Sequence, residues 1–141
     1  MTPPAITIII NHTKNPNISF DLEATIKKIC LLKGIQEGYL EFNFISNPEI
    51  KDINIKHLNH NYETDIITFN LSEKGELNGD IYISVDEALK NAEEYKTTYE
   101  NEIKLLIVHG ILHLLNYNDD TEKNKTIMRH EEKRVMNLIN D

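Results

Sequence analysis

Two histidines and an aspartate stand at a spacing that can bring them to one metal ion. They are His109, His113 and Asp119. On a helix, residues four apart share a face with Cβ atoms roughly 5–6 Å apart, so both imidazoles can point at a common ion. The chain must turn before Asp119 can return, and Asn116 stands where a helix end favours a left-handed residue. Three protein ligands leave a fourth position for water, which is typical of a catalytic zinc site.

The same spacing is that of the metzincin peptidase motif, HExxHxxGxxH, with Asn116 at its glycine and Asp119 at its last histidine. The residue after the first histidine is Gly110. A zinc peptidase needs a glutamate carboxylate there to take a proton from water. The sequence therefore disfavours a peptidase and leaves open a metal-dependent hydrolase of another substrate.

Composition indicates the class of protein. The 141 residues, 40% of them apolar and 27% charged, predict one globular domain that covers residues 1–141. The sequence has no apolar run of membrane-spanning length, and its Met-Thr-Pro-Pro start lacks a signal-peptide pattern. We therefore expect a cytoplasmic protein with no membrane partner. The single cysteine, Cys30, is expected in the core.

Charge limits the ways in which the chain can meet a nucleic acid. The net charge of −8 argues against a generally basic binder, because phosphate contacts need clustered cations. Two local clusters remain, and the simpler interpretation of both is a solvated helix face paired with glutamates. They are Lys27, Lys28 and Lys33, and, near the C-terminus, Lys123, Lys125, Arg129, Lys133 and Arg134.

The hydrophobic pattern predicts an α+β domain with a small, mixed four-stranded sheet and four to five helices. Strands are predicted at 6–10, 40–44, 66–71 and 81–85, the last two joined as a hairpin by turn residues 72–79. Helices are predicted at 21–33 and 47–58, and from residue 86 onward with breaks near 97 and at 116–120. The metal site then lies on a C-terminal helix and the turn that follows it.

The helix that carries the histidines is predicted to begin with a capping box at Thr97 and Glu100. Gly110 inside that helix predicts close packing against another backbone. Its apolar stripe should face the core and consists of Ile103, Leu106, Ile107, Gly110, Ile111 and Leu114. The last helix, 121–138, is expected to present Ile127, Val135 and Leu138 to the body of the protein.

Three tracts resemble, in order, the YbeY family of bacterial zinc-dependent endoribonucleases, the rRNA maturation factors. They are NIKHLNHNYETDIITF at 54–69, GDIYIS at 79–84 and HGILHLLNYND at 109–119. The corresponding family patterns are TDVLSF, GDIxIS and HGxLHLxGYDH. The resemblance covers most of the chain after residue 50.

The resemblance implies a single-strand-specific, zinc-dependent endoribonuclease that acts in rRNA processing at the 3′ end of the small-subunit rRNA and in ribosome quality control. It implies one zinc per chain and RNA, not DNA, as the substrate. A ribosomal protein or the small ribosomal subunit is then the expected partner.

The resemblance also implies roles for individual residues. His109, His113 and Asp119 would hold the metal, with Asp119 where most members have a third histidine. Asp120 is an alternative ligand, although we expect it to N-cap the next helix. Zinc would lower the pKa of a bound water from about 15.7 toward roughly 7. Asp65 and Asp120 are the candidate catalytic residues for proton transfer, beside that activated water and the 2′-hydroxyl of the substrate.

One departure concerns an arginine that family members carry shortly before the TD strand and that is thought to serve the substrate phosphate. An ungapped alignment places Leu58 there, whereas a shortened loop would delete the position altogether, and either way no arginine is present. His57 or His60 could substitute for the arginine in binding phosphate, although the simpler interpretation of each is a surface residue without that role. The departure favours a third hypothesis, a non-catalytic ribosome assembly factor in which zinc only holds the last two helices together.

Overall fold

The computed structural model describes residues 5–58, 64–73 and 76–140. The chain in these ranges forms four strands and five α-helices, which confirms the predicted α+β class. The strands are β1 Ala5–His12, β2 Glu37–Ile45, β3 Ile66–Asn70 and β4 Leu77–Ser84. The helices are α1 Leu22–Leu32, α2 Asn47–Ile53, α3 Val85–Glu94, α4 Tyr99–Leu114 and α5 Glu122–Ile139, and a π-helical turn, Asn54–Leu58, extends α2. None of the helices in these ranges is long and apolar enough to cross a lipid bilayer.

The strands form one mixed sheet in the order β1-β2-β4-β3. β2 runs parallel to both β1 and β4, and β3 pairs antiparallel with β4, as the predicted hairpin requires. The prediction of a turn through Gly79 was wrong, because β4 already begins at Leu77. Leu77 to Gly79 pair with Gly38 to Leu40 of β2, so a partner distant in sequence overrides local turn propensity.

One face of the sheet forms the main core. Alternate residues of β2 and β4 point to this face and are fully buried, namely Leu40, Phe42, Phe44, Ile81 and Ile83. Burying each side chain of this kind contributes about 1.5–3 kcal/mol. Cys30 of α1 belongs to the same core, as predicted, and burial raises the pKa of its thiol to about 12.

Helix α4 packs on this face and carries the histidines. Its predicted inward stripe is buried throughout. The predicted capping box was wrong by one residue, because the side chain of Thr98, not Thr97, accepts the N–H of Asn101. Glu100 does not fold back onto the helix end but accepts hydrogen bonds from the N–H and the hydroxyl of Ser19. A contact with a residue distant in sequence therefore replaces the local capping bond that was predicted for Glu100.

Helix α5 packs through a different stripe from the one predicted. Met128 and Val135 are its buried residues. Ile127 and Leu138 are exposed, so two of the three predicted contacts were wrong. A stripe through 128 and 135 also turns the intervening glutamates at 131 and 132 toward the body of the protein.

Gly110 lets α4 approach the sheet closely. A Cβ atom there would lie 3.1 Å from Cδ1 of Ile66 and 3.1 Å from Cδ1 of Ile81. These distances are shorter than ordinary carbon contacts, so the predicted close packing is confirmed, although the neighbours are side chains and not backbone.

We expect Gly110→Val to lower the free energy of unfolding by about 1–3 kcal/mol, because the added methyl groups must force α4 away from Ile66 and Ile81. Urea unfolding followed by circular dichroism measures the change. Asn101→Val, on the exposed side of the same helix, is the control and should change stability by less than about 0.5 kcal/mol. Equal effects of the two substitutions would contradict close packing at Gly110.

Candidate metal centre

His109 and His113 lie one turn apart on α4 with their ring nitrogens facing each other. The two Nε2 atoms are 3.0 Å apart, and both residues are partly buried. The inward stripe of α4 places them at the border of the core, beside the edge strand β3. The helix therefore presents two nitrogen donors to a single point, as their spacing predicted.

A left-handed turn returns the chain to the histidines. Asn116 has φ 71°, its N–H donates to the carbonyl of His113, and the N–H of Tyr117 donates to the carbonyl of Leu112. These two bonds form a Schellman motif, which ends a helix and reverses the chain. Asp119 Oδ2 then lies 3.6 Å from Nε2 of His113 and 3.9 Å from Nε2 of His109.

The three side chains fit one divalent cation. One ligand atom from each of them lies within 4.8 Å of the others. Ligand atoms about 2.0–2.1 Å from a tetrahedral zinc ion would be roughly 3.4 Å from one another, close to the separations between these atoms. Two imidazole nitrogens with one carboxylate oxygen are also a donor set that zinc accepts. The structure thus brings the three predicted ligands together, and their role as ligands stays a prediction.

Glu132 of α5 orients the first histidine. The Nδ1–H of His109 donates to Oε2 of Glu132 at 2.7 Å. A carboxylate can only accept, so this bond leaves the lone pair of Nε2 free for a metal. Carboxylates that hold metal-binding histidines in this way are common in zinc sites.

The two imidazoles have opposite tendencies to bind a proton. Burial lowers the pKa of His109, but the hydrogen bond and charge of Glu132, together with Asp119 and Asp65, outweigh it and raise the pKa overall. Burial, followed by the charge of His109, lowers the pKa of His113. His113 therefore keeps a free nitrogen lone pair to lower pH than an ordinary histidine does.

Asp65 is partly buried and lies with the buried Glu102 in a group of acids beside the histidines. Nδ2 of Asn91 donates to Oδ2 of Asp65 at 3.1 Å and to Oε1 of the buried Glu102 at 3.3 Å. Burial raises the pKa of Asp65 against the opposing charge of His109 and the bond from Asn91. Burial also raises the pKa of Glu102, and the charges of Asp65 and Glu132 add to the effect.

Asp120 lies outside the group formed by the histidines and Asp119. It is exposed and accepts a hydrogen bond from the side chain of Asn124 at 2.8 Å, and that bond holds its pKa below the usual value. The expectation that Asp120 caps α5 was wrong, because Thr121 is the N-cap and accepts the N–H of Asn124. Of the two aspartates, Asp119 is the one placed to bind a metal.

The sequence did not predict two residues of the site, Glu132 and Glu102. Each is a charged residue on the inward stripe of its helix. Glu102 precedes His109 by seven residues on one face of α4, and Glu132 lies between the buried Met128 and Val135 of α5. A carboxylate on an otherwise apolar stripe was the signal that could have identified both.

Comparison with known proteins relates this geometry to a family. Residues 8–140 match the family model described as Endoribonuclease YbeY. The chain is 37% identical over 114 residues to the endoribonuclease YbeY of Phocaeicola vulgatus, which covers 81% of this chain and 83% of that protein. The chain belongs to the endoribonuclease YbeY family.

Two further comparisons extend over almost the whole chain. The endoribonuclease YbeY of Bacteroides thetaiotaomicron is 35% identical over 134 residues, or 94% of this chain and 97% of that protein. A Thermotoga maritima protein solved in solution superposes with a TM-score of 0.71 at 29% identity, covering 94% of this chain and 89% of that one. The family resemblance and the fold class predicted from sequence are confirmed.

The turn explains one departure from the YbeY pattern HGxLHLxGYDH. Asn116 replaces the glycine of that pattern, and it adopts the left-handed conformation that glycine favours. Asp119 replaces the last histidine and still reaches both ring nitrogens. The chain therefore keeps the shape of the turn and changes the donor at its end.

The position of the missing YbeY arginine lies at the end of the π-helical turn. Leu58 is exposed there, and the ring of His57 lies edge-on against Phe69 with centroids 5.8 Å apart. His60, the other proposed substitute, lies outside the described residues. The contact with Phe69 gives His57 a packing role, and its role toward phosphate stays a prediction.

We expect Asp119→Ala to lose stoichiometric zinc and Asp120→Ala to keep it, because Asp119 alone of the two faces both histidines. After reconstitution with zinc and gel filtration, elemental mass spectrometry should find about one zinc per chain in the parent protein and in Asp120→Ala. Full zinc content in Asp119→Ala would show that this carboxylate is not a ligand.

We expect Glu132→Gln to lower the pKa of His109, because the substitution removes the carboxylate charge that favours the imidazolium. NMR titration of the ring nitrogens in the metal-free protein measures this pKa. Glu122→Gln, an exposed position in the first turn of α5, is the matched control and should leave His109 unchanged. An unchanged His109 titration in Glu132→Gln would contradict the pairing.

Proposed function

We propose that this protein is a zinc-dependent, single-strand-specific endoribonuclease that processes ribosomal RNA. Membership of the endoribonuclease YbeY family supports an RNA-cleaving hydrolase. The observation that carries the metal dependence is the convergence of His109, His113 and Asp119, whose side chains are 22%, 27% and 52% exposed. A site that is exposed on one side can admit a polymer.

The place of this activity in the cell is part of the proposal. We propose action at the 3′ end of the small-subunit rRNA and in ribosome quality control, in the cytoplasm, with a ribosomal protein or the small subunit as partner. The net charge of −8 supports a need for a partner, because an acidic chain gains little from the phosphate backbone alone.

Zinc at this position would supply Lewis-acid activation of water and polarisation of a phosphate oxygen. The chain contributes orientation and proton transfer. Glu132 fixes the ring of His109, and Asp65 offers a carboxylate whose raised pKa makes it a stronger base than an ordinary aspartate. We therefore favour Asp65 over Asp120 as the residue that takes a proton, with the 2′-hydroxyl of the substrate as the alternative internal nucleophile.

The structure adds a physical reason to disfavour a peptidase. The motif of zinc peptidases needs a glutamate at the position of Gly110. A side chain at that position would begin 3.1 Å from Ile66 and Ile81 and would point into the sheet. A carboxylate there would be buried among apolar side chains, away from the ring nitrogens.

A second candidate function is that of a non-catalytic assembly factor with a structural metal. Leu58 favours it, because an exposed leucine stands where YbeY proteins carry the arginine thought to serve phosphate. In that case the metal would stabilise the junction of α4 and α5 without RNA cleavage. The two functions make different predictions for a variant without the second histidine.

We expect His113→Ala to cut a single-stranded RNA at least about a hundredfold more slowly than the parent protein, because the metal loses a ligand. Gel assays with zinc-loaded proteins measure the rate, and circular dichroism checks the fold. His130→Ala, at an exposed position on α5, is the matched control and should cleave normally.

Unchanged cleavage by His113→Ala would contradict the proposed active site. If no RNA is cut by the parent protein while a chelator lowers its melting temperature, the structural-metal function replaces the catalytic one.

A further inference from the structure

Lys33 joins three parts of the chain next to the candidate metal centre. It follows α1, and its Nζ donates to the phenolic oxygen of Tyr117 at 2.9 Å and pairs with Glu131 of α5. Arg134 holds the same glutamate with two hydrogen bonds, from Nε at 2.7 Å and from Nη2 at 2.9 Å. We call Lys33, Tyr117, Glu131 and Arg134 the Lys33 clasp.

Lys33 does not lie on the solvated helix face that the sequence predicted for it, whereas Arg134, whose side chain is 49% exposed, does. The side chains of Lys33 and Glu131 are only 12% and 13% exposed. Burying a charge is costly unless it is paired, so each ion keeps the other in place. The bond from Arg134, opposed by burial and reinforced by Lys33, lowers the pKa of Glu131 to about 2, so this partner stays ionised at neutral pH.

Tyr117 anchors the segment that carries Asp119. Of residues 116–120, Tyr117 alone is partly buried, and it packs against the main core. Among the described residues, the Asp119 side chain forms ion pairs only with His109 and His113. Apart from these contacts with the histidines, the position of Asp119 is set through the backbone, two residues from the ring that Lys33 holds.

The other end of the Lys33 clasp lies beside the support of His109. Glu131 is adjacent in sequence to Glu132, which accepts the Nδ1–H of His109. One ammonium group thus ties the turn that carries Asp119 to the helix that orients His109.

We propose that Lys33 is a positioning residue of the metal centre, which holds Asp119 at the two histidines through Tyr117. The inference rests on the proposed function, in that it takes His109, His113 and Asp119 as metal ligands. Lys33 itself touches neither metal nor substrate. Its effect is on the affinity for the ion.

The test measures zinc affinity by competition with a chromophoric chelator. Lys33→Met should bind zinc about tenfold more weakly, which is the effect expected for a residue that supports a ligand. Lys33→Arg should recover most of the loss, because a guanidinium can serve both acceptors. Lys27→Met is the matched control, since Lys27 lies on α1, which Lys33 directly follows, but pairs with Glu23 on the exposed surface.

A double-mutant cycle separates positioning from general destabilisation. Lys33→Met is also made in the Asp119→Ala protein, where no carboxylate remains for the Lys33 clasp to position. We expect the substitution to weaken zinc binding there by less than about twofold, because its effect passes through Asp119. Equal losses in both backgrounds would overturn the proposal.

The remaining outcomes are also decisive. Unaltered zinc affinity in Lys33→Met, when the parent protein binds zinc, would overturn this inference and leave the metal centre intact. No zinc binding by the parent protein would overturn both. If Lys33→Met fails to fold, Tyr117→Phe replaces it in the same cycle, because it removes the acceptor of Lys33 and keeps the ring.

Discussion

The candidate metal centre depends on the left-handed turn at Asn116. Without it, α4 would continue, and residue 119 would lie about 9 Å further along the axis than His113. The turn reverses the chain while two backbone N–H groups satisfy carbonyls at the helix end. Asparagine tolerates this conformation because its short polar side chain can bond locally. A backbone angle at one residue thus decides whether a carboxylate can join two imidazoles.

The electrostatics of the site are dominated by acids that have few cations among them. Burial raises the pKa of Asp65 and of Glu102. The charges of Glu132 and Asp65 raise the pKa of both Glu102 and His109. A divalent cation at the ring nitrogens would offset this negative charge. The cation of Lys33 does not pair with any of these three acids. It pairs with Glu131, the residue before Glu132. The ion pair that joins the end of α1 to α5 therefore uses a different glutamate from the acids around the histidines.

Local pattern was enough to predict the parts of the fold that depend on local physics. The alternation of β2, the apolar stripe of α4 and the turn at Asn116 all follow from spacing within a few residues. The start of β4, the partner of Glu100 and two of the three inward residues of α5 depend on tertiary contacts, and the predictions for them were wrong. Of those three residues, Val135 is buried as predicted. Glu132 was missed and Lys33 was assigned to a solvated helix face for the same reason, since the partners Lys33 and Tyr117 are 84 residues apart in sequence.

The candidate ligands lie close together in sequence, whereas the residues that support them are distant, and this difference matters while the chain is being translated. His109, His113 and Asp119 are so close in sequence that bringing them together costs little chain entropy. A nascent chain, made from the N-terminus, presents these three residues before α5 has been translated. An ion captured at that stage would be held without Glu132 and without Glu131 to bind Lys33. Under the proposed function, firm retention of the ion would therefore require the last helix, which supplies both Glu132 and the glutamate that Lys33 binds.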